Sequence, residues 1–574
     1  MTERTPTHKF DRWLRSAQRF EEKWRNENQQ NFEYYSGEQW TEAEKAEIEE
    51  RGQQSTVLNT IRPTVDMVCA QEVERRCDIQ VCGREESDDS KAQLMTALLK
   101  HVFDTCHFEY YHSYGFREAI IGGRSWLEAG VYTDERGKDM VKVDHVPWEN
   151  VYLDPFSRKP DASDARFIIK VKWVDRDVLK KLFPGKESEI DSTFDDDYKG
   201  QEWEAQLEAS DRGHSFYYDA KTQRVKICEC WYTKPENRKV KHLNEKTGKE
   251  EEREVFVQAV HFVIFSDDII LQGSAEDDNA NKNPLGIDLY PLVPIYCLRD
   301  HQGRPRGIVR DLIDIQDQIN KLNSKFLWSV AANRVIVEEG ACRDEAQLRE
   351  ELQKPDGLAI LNDGGLQKLR IDDKYRDLSY MSNHLQFLLA TEQRISGVND
   401  SMLGLGGANE RSGVMQNTRI SQGAAMQTTI LENMYFSKQR ISLVLLRLIG
   451  KFYTDYRIVR VTQPNGLTDN FEFNIPERDE QGNPTGGILN KIEDTLYYDV
   501  ILKKVPPFNS MRDRQLTIFA EVLKSNVIPA PIAGKMMILL SDMPNKEDLV
   551  LELENFYAGQ QAQAGVPPAP APPQ

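Results

Sequence analysis

Apolar positions along the chain change period several times, and those changes mark its segments. Over the first fifty residues Phe10, Trp13, Phe20 and Trp24 recur near helical spacing among charged neighbours, followed by YYSGEQW and an acid-rich run to Arg51. This pattern predicts an amphipathic helical arm. From Asn59 the periodic run IRPTVDMVCAQEVERR predicts a helix leading into a short strand, and residues 89–121 repeat at helical spacing up to Gly122 and Gly123, glycine being a common stop signal. Alternation then takes over. WLEAGVYTDERGKDMVKVDHVP reads as two strands about a turn at Asp134, Arg136 and Gly137, and RFIIKVKWV, RVKICECWYT, EVFVQAVHFVIFSD and YPLVPIYCLRD alternate likewise. The span Leu127 to Arg299 is therefore expected to be mainly β, with polar, mobile insertions at 185–215 and 234–252.

From Gly307 to Asn333, Ile308, Leu312, Ile315, Ile319, Leu322 and Phe326 alternate spacings of four and three. Asp311, Asp314, Gln318, Lys321 and Lys325 run beside them, so one face of a helix packs and another stays wet. At about 1.5 Å per residue this helix is on the order of 40 Å long. A strand (RVIVEE), a short helix (CRDEAQLREELQ) and a hairpin (LAIL, NDGG, LQKLRI) predict a compact α/β insertion, after which a second helix returns from Asp377 to about Ser396. The glycine-rich SGVNDSMLGLGGANERSG leads into Ser412 to Tyr456, which reads as one long helix with a kink at Gly423. Strand-like RIVRVT, FEFNI and YYDVILKKV come next. Helices to Tyr557 then open on FNSMRDRQLTIFAEVL, where Ser510 and Asp513 have capping-box spacing. GQQAQAGVPPAPAPPQ is a disordered tail by composition. The fold class expected is mixed α+β.

Composition narrows the chemistry. The 574 residues suffice for three or four domains at roughly 150 residues each. A net charge of −19 argues against a broad basic face that grips nucleic acid, because backbone affinity comes from Lys and Arg displacing counterions. The first twenty residues carry charges throughout and no apolar core, which predicts synthesis in a cytoplasm without a secretory signal. ISLVLLRLIGKFY, broken by Arg447 and Lys451, is shorter than the roughly 18 apolar residues of a membrane span, so no membrane partner is expected. Eight cysteines without a regular framework suggest reduced thiols; Cys228 and Cys230 alternate onto one strand face, and Cys106, His107 and His112 fit a half-buried aromatic helix end better than a metal site. No metal or cofactor is assigned. The glycine run has no Lys-Ser or Lys-Thr after it and lacks dinucleotide spacing, so it is not read as a phosphate cradle. Asp311, Asp314 and Asp317 leave open a metal-dependent nuclease or phosphohydrolase, although acids in the first turns of a helix also favour its dipole.

Four stretches, taken in order, carry a resemblance: SGEQW with VLNTIRPTVDMV; VPWENVYLDPFSRKPDASDARF; RGIVRDLIDIQDQINKLNSK; and SGVMQNTRISQGAAMQTTILENMYFSKQRISLVLLRLIGKFYTDYRIVRV. None is a catalytic motif, and the specificity lies in their joint order. From about residue 30 to 550 the chain resembles the portal proteins of tailed bacteriophages, in the short-tailed (podovirus-type) branch. The resemblance implies a portal fold assembled as a twelve-subunit ring at one capsid vertex, non-enzymatic, through which double-stranded DNA is packaged, retained and ejected.

The implied division is 1–126 N-terminal helical arm and start of the wing, 127–306 mainly β wing, 307–333 first stem helix, 334–376 clip and 377–396 second stem helix. The tunnel loop (397–412), a long wing helix (413–456), a β return into the wing (457–505), a helical crown (506–557) and a disordered tail (558–574) follow. Asn399, Ser401, Met402, Leu403, Leu405, Asn409, Glu410, Arg411, Lys321, Lys325 and Arg394 would line the DNA tunnel. Arg343, Glu345, Arg349 and Glu350 on the clip would dock the large terminase subunit, which supplies the ATP hydrolysis, and later the tail adaptor or head-completion proteins. Major capsid and scaffolding proteins are the other implied partners, the virion is the implied location, and a virion structural protein without a channel is a further alternative.

Overall fold

The computed structural model describes residues 8–83, 89–192, 218–219, 224–243, 250–331 except 268, 335–338, 341–353, 358–371 except 359, and 375–403 except 401. It further describes 422–462 except 424 and 426, then 468–478, 484–492 except 491, 498–504 and 553. The chain divides into two compact units: the described parts of 1–69, 108–132 and 141–444 form one, and those of 70–107, 133–140 and 445–574 the other. The expected crown lies outside the described residues save for Leu553, and so do the greater part of the expected tunnel loop and the start of the long helix after it.

In the first unit the arm is a single helix, Lys9–Ser36, capped at its start by the His8 ring and closed by Gly37 at φ +96°, where Glu38 N donates to Glu33 O at 2.8 Å. Its buried residues recur every three or four positions from Phe10 through Leu14, Ala17, Glu21, Trp24, Asn28, Asn31 and Tyr34. The apolar beginning of that stripe lies on a six-stranded antiparallel sheet. The sheet is built from Val151–Leu153, Phe167–Asp175, Tyr218–Asp219, Arg224–Leu243, Glu250–Ser266 and Ile269–Gln272. Phe10, Leu14 and Ala17 cover Tyr152, Phe167, Ile169, Val171, Cys228, Cys230, Tyr232, Val263 and Phe265. The opposite sheet face, with Ile168, Ile227, Trp231, Val260, Phe262 and Ile264, shares a core with Trp126 and Leu292. Those two belong to a three-stranded sheet in the order Leu292–Tyr296, Arg124–Thr133, Asp139–Val146. Period-two alternation thus splits each strand between two cores.

Cys228 and Cys230 do face the same way, as their spacing predicts, and burial under the arm pushes the Cys228 thiol up to about 12. Residues 234–243 and 250–252, expected to be a mobile insertion, instead extend the hairpin, which stays in antiparallel register from Cys228↔Phe265 to Leu243↔Glu250. Periodicity hid these strands because KPENRKVKHL and EEE carry little apolar alternation; the register sets Lys239 opposite Glu254, a favourable cross-strand charge placement.

Helix Phe108–Gly122 ends where its pattern does. Gly123 follows at φ +103°, and a Cβ there would lie 2.4 Å from the Arg306 nitrogen. The chain requires glycine on both counts. In the second unit, strand Cys77–Gly83 pairs antiparallel with Tyr498–Lys504, and helix Asp89–Thr105 packs on that pair and on Arg457–Thr462. Ile79, Val81, Leu98, Leu99, Val102, Val459 and Phe473 are among its buried residues.

Candidate functional site

The middle of the chain forms two helices, Ile313–Ala331 and Tyr375–Ser396, packed on one another. The first begins later than its apolar pattern suggests, because Val309–Asp311 is a 3-10 turn. Its buried stripe also differs from the expected seam. Leu312 and Ile319 are buried, but Ile308, Ile315, Leu322 and Phe326 are only half-buried, while Gln316, Asn320 and Ser324 are each about 1% exposed. These three polar side chains, one helical turn apart, hold the extended segment at residues 53–60. Gln316 Nε2 donates to Leu58 O at 2.7 Å, Leu58 N donates to Asn320 Oδ1 at 3.0 Å, and Ser324 Oγ donates to Gln54 O at 2.5 Å. Asn320 Nδ2 also donates to Gln39 Oε1 at 2.6 Å. At the end of the arm, Tyr34 OH donates to Asp317 Oδ1 at 2.6 Å, and burial together with that carboxylate drives the phenol well above its usual range. Sequence reasoning missed this ladder; its signal was the i, i+4, i+8 spacing of hydrogen-bonding side chains on one face.

The cations expected to touch DNA lie elsewhere on the pair. Lys321, Lys325 and Arg394 are exposed, and Lys321 Nζ lies 3.3 Å from Glu44 Oε1. Glu44 belongs to the acidic helix Glu42–Glu50, and the Thr41 backbone amide, with Lys321 adding to it, holds its carboxyl below the usual range. The Lys321 side chain stays more than half exposed beside this pair.

Helix Tyr375–Ser396 ends at Gly397, φ +72°. The described start of the glycine-rich segment is a tight turn in which Met402 N donates to Asn399 O at 2.9 Å and Asn399 Oδ1 at 3.0 Å, and Gln393 Nε2 donates to Asp400 Oδ1 at 2.6 Å. Met402, expected on an open lining, is 6% exposed. It sits over Gly423, where a Cβ would lie 2.6 Å from the Met402 sulfur and 2.9 Å from Gly397 O. Gly423, read from sequence as a kink, is thus a point of close approach that turns Met402 inward. Leu403 is half-buried and Asn399 partly exposed; Ser401, Leu405, Asn409, Glu410 and Arg411 lie outside the described residues.

Between the helices, Val335–Val337 pairs antiparallel with Leu369–Ile371, and the expected strand LAIL does not take that place. Gly365–Lys368 is a 3-10 turn. Gly365 lies so close to the Ala341 carbonyl that a Cβ would come within 2.4 Å of it, and Asn362 N donates to that same oxygen at 3.0 Å. These contacts turn the chain before a hairpin forms. Asp344 caps helix Glu345–Gln353, its Oδ1 accepting from Ala346 N at 2.9 Å. Arg343, Glu345 and Glu350 are exposed on this small module. Arg349 is in the helix, but its side chain lies outside the described residues.

The described residues of this region assemble no hydrolytic centre. Asp317 accepts from Tyr34, Asp311 pairs with Arg306, and Asp314 is exposed, so the three acids do not converge. Among the described residues no group of three or more His, Cys, Asp and Glu side chains is placed to hold a metal ion. His112 is buried, stacked on Phe108 at 5.2 Å and 3.3 Å from Ser437 Oγ. Among the described residues, no helix is long and apolar enough to cross a membrane.

The family model described as phage P22-like portal protein matches residues 11–574. The portal protein of Helicobacter pylori bacteriophage KHP30 is 22% identical over 538 residues, covering 92% of this chain and 79% of that protein.

Proposed function

The chain belongs to the phage P22-like portal protein family, and from that premise we propose that it forms the channel through which double-stranded DNA enters and leaves the phage head. The observation that carries this reading is the extent of the match, which runs from residue 11 to the last residue rather than resting on a local motif. Membership makes the protein a non-catalytic structural component of the virion, with terminase and capsid proteins as its partners. The finer reading is a ring of twelve copies at one capsid vertex, made in the host bacterial cytoplasm. Helices Ile313–Ala331 and Tyr375–Ser396 act as its stem, and the module between them as the clip. Arg343, Glu345, Arg349 and Glu350 meet the large terminase subunit and later the head-completion or tail adaptor proteins. Scaffolding protein joins during head assembly.

The electrostatics suit passage better than capture. Duplex DNA carries one charge per about 1.7 Å, and a strongly basic tunnel would hold it. Twelve copies of a chain of net charge −19 carry 12 × 19, about 228, negative charges. Against that background Lys321, Lys325, Arg394 and Arg411 give brief phosphate contacts. Asn399, Ser401, Leu403, Leu405, Asn409 and Glu410 meet the duplex on the loop without locking to it.

Native mass of the purified protein, combined with class averages of stained particles, tests this reading. A ring near 12 × 66.2 kDa, about 794 kDa, with a central hole is the expected result. A compact monomer or dimer with no tendency to form rings overturns it.

A further inference from the structure

Helix Tyr375–Ser396 carries a feature that the described residues leave exposed. The rings of Tyr380, His384 and Phe387 stack in succession along one side, centroids 6.2 and 6.1 Å apart and planes tilted by 15° and 11°. Tyr380 is 72% and Phe387 59% exposed, and Ile395, further along the same side, is 47% exposed. The buried side of the helix, with Leu388 and Glu392, is occupied by intramolecular packing. Aromatic rings stacked at i, i+4 and i+7 lie on one face and make a rigid, apolar ridge.

Charge points the same way. The fourteen residues from Leu378 to Thr391 include no Asp, Glu, Lys or Arg, in a chain in which 29% of residues are charged. A helix whose outer side met only water would carry charges there, as the exposed helix Glu42–Glu50 does. Removal of charge from an exposed aromatic surface is instead the mark of the centre of a protein contact.

We propose that the Tyr380–His384–Phe387 ridge is a contact surface for a second copy of this chain. The proposal rests on the portal reading and adds the surface through which neighbouring copies meet. Between Tyr380 and Phe387 the ridge has no Lys or Arg with which to meet phosphate, the next cation along that side being Arg394 seven residues on, so this stretch selects an uncharged apolar surface rather than DNA. The chain itself offers one. Phe326 to Asn333 is also free of charge, and Leu327, Trp328 and Val330 there are 42%, 40% and 56% exposed. This second patch ends the helix Ile313–Ala331, whose end is tied to the beginning of Tyr375–Ser396 by the pairing of Val335–Val337 with Leu369–Ile371. At about 1.5 Å per residue, Tyr380 and Trp328 therefore lie within roughly one or two helical turns of the same level. A neighbouring copy displaced sideways brings its Leu327–Val330 patch against the ridge without an axial step. Contact between two different patches is heterologous, and it closes into a ring when the rotation permits.

Hydroxyl-radical footprinting of the full-length wild-type protein tests this directly, because only copies of this chain are present. Oxidation of Tyr380 and Phe387 should slow several-fold in the oligomer relative to subunits dissociated by dilution or mild denaturant. In parallel, Phe387→Glu and Tyr380→Lys should shift the native mass to that of the subunit while leaving the far-UV circular dichroism unchanged. An oligomer in which both rings oxidise at the subunit's rate overturns the proposed surface and leaves the portal reading standing. A wild-type chain that does not self-associate at any concentration overturns both. The footprint requires no variant, so a substitution that fails to fold does not affect the test.

Discussion

Gln316 and Thr60, 256 residues apart in sequence, are joined twice: the Gln316 side-chain oxygen accepts from the Thr60 hydroxyl at 2.6 Å and from its amide at 3.1 Å. With the donation of Gln316 Nε2 to Leu58 O, one buried amide satisfies three groups of an extended segment that has no strand partner of its own. Replacing Gln316 by Ala should destabilise the first unit by about 1–3 kcal/mol, the cost of leaving buried backbone groups unpaired. Urea denaturation measures it. A cycle with Thr60→Ala should show non-additivity, and strictly additive losses would mean that the two side chains are not coupled.

Glu21 and Arg124 form a buried pair, Nη2 to Oε1 at 2.6 Å, with the guanidinium also lying over the Trp24 and Trp126 rings at 4.7 and 5.2 Å. Removing one member leaves a charge without its partner in the interior, at a cost of about 3–5 kcal/mol. Glu21→Ala should therefore lower the thermal midpoint far more than Glu27→Ala, on the same helix but in the more exposed pair with Arg310. Equal effects in a thermal melt would contradict the assignment.

Glu392 is 5% exposed, and burial raises its carboxyl pKa despite hydrogen bonds from Thr60 and Thr64. Because the folded-state value lies above the unfolded one, the ionised form is disfavoured in the native state at neutral pH. The penalty is relieved as pH falls through the folded-state value. Glu392→Gln should raise the melting temperature at pH 7–8, with the advantage shrinking as the pH approaches 4. A variant less stable than wild type at pH 8 would show that the carboxylate has a partner that outweighs its burial.

Asp278 fastens the start of the arm. Burial works against its ionisation, but hydrogen bonds from Lys9, Tyr232 and Lys234 outweigh that and hold its carboxyl well below the usual range. The stability it contributes is present above the ordinary aspartate value of about 4 and is lost as pH falls toward the depressed one. Asp278→Asn should cost about 1–3 kcal/mol at neutral pH and speed amide exchange over the first turns of Lys9–Ser36. The difference from wild type should narrow in acid. Unchanged exchange at pH 7 would show that Phe10 and Leu14 hold the arm alone.

Gly123 tests backbone rather than side-chain chemistry. At φ +103° and with a Cβ position 2.4 Å from the Arg306 nitrogen, Gly123→Ala combines a strained backbone with a clash that no rotamer change relieves. The loss should exceed the roughly 1 kcal/mol of an ordinary Gly-to-Ala strain term, read as a lower urea midpoint. Gly137, also at positive φ but with open space around it, provides the comparison.

Sequence by itself determined what depends on short-range pattern. The arm, the helix stop at Gly122, the shared face of Cys228 and Cys230, and the two helices in the middle of the chain could be read from spacing and residue type, while the portal family entered through the resemblance of four ordered stretches. Tertiary structure decided which groups at a distance meet. The polar ladder at Gln316, Asn320 and Ser324 was not singled out, because an amide's value depends on whether a backbone segment more than 250 residues away in sequence comes to lie beside it. Residues 234–243 looked like a loop because KPENRKVKHL is mostly charged and polar and has no apolar alternation to show. Leu369–Ile371 chose Val335–Val337 over LAIL because Gly365 lies against the Ala341 carbonyl, and Met402 turned inward because Gly423 has no side chain. Local periodicity follows from backbone geometry that each residue carries with it, whereas burial, hydrogen-bond satisfaction and close approach exist only between segments that the fold has already brought together.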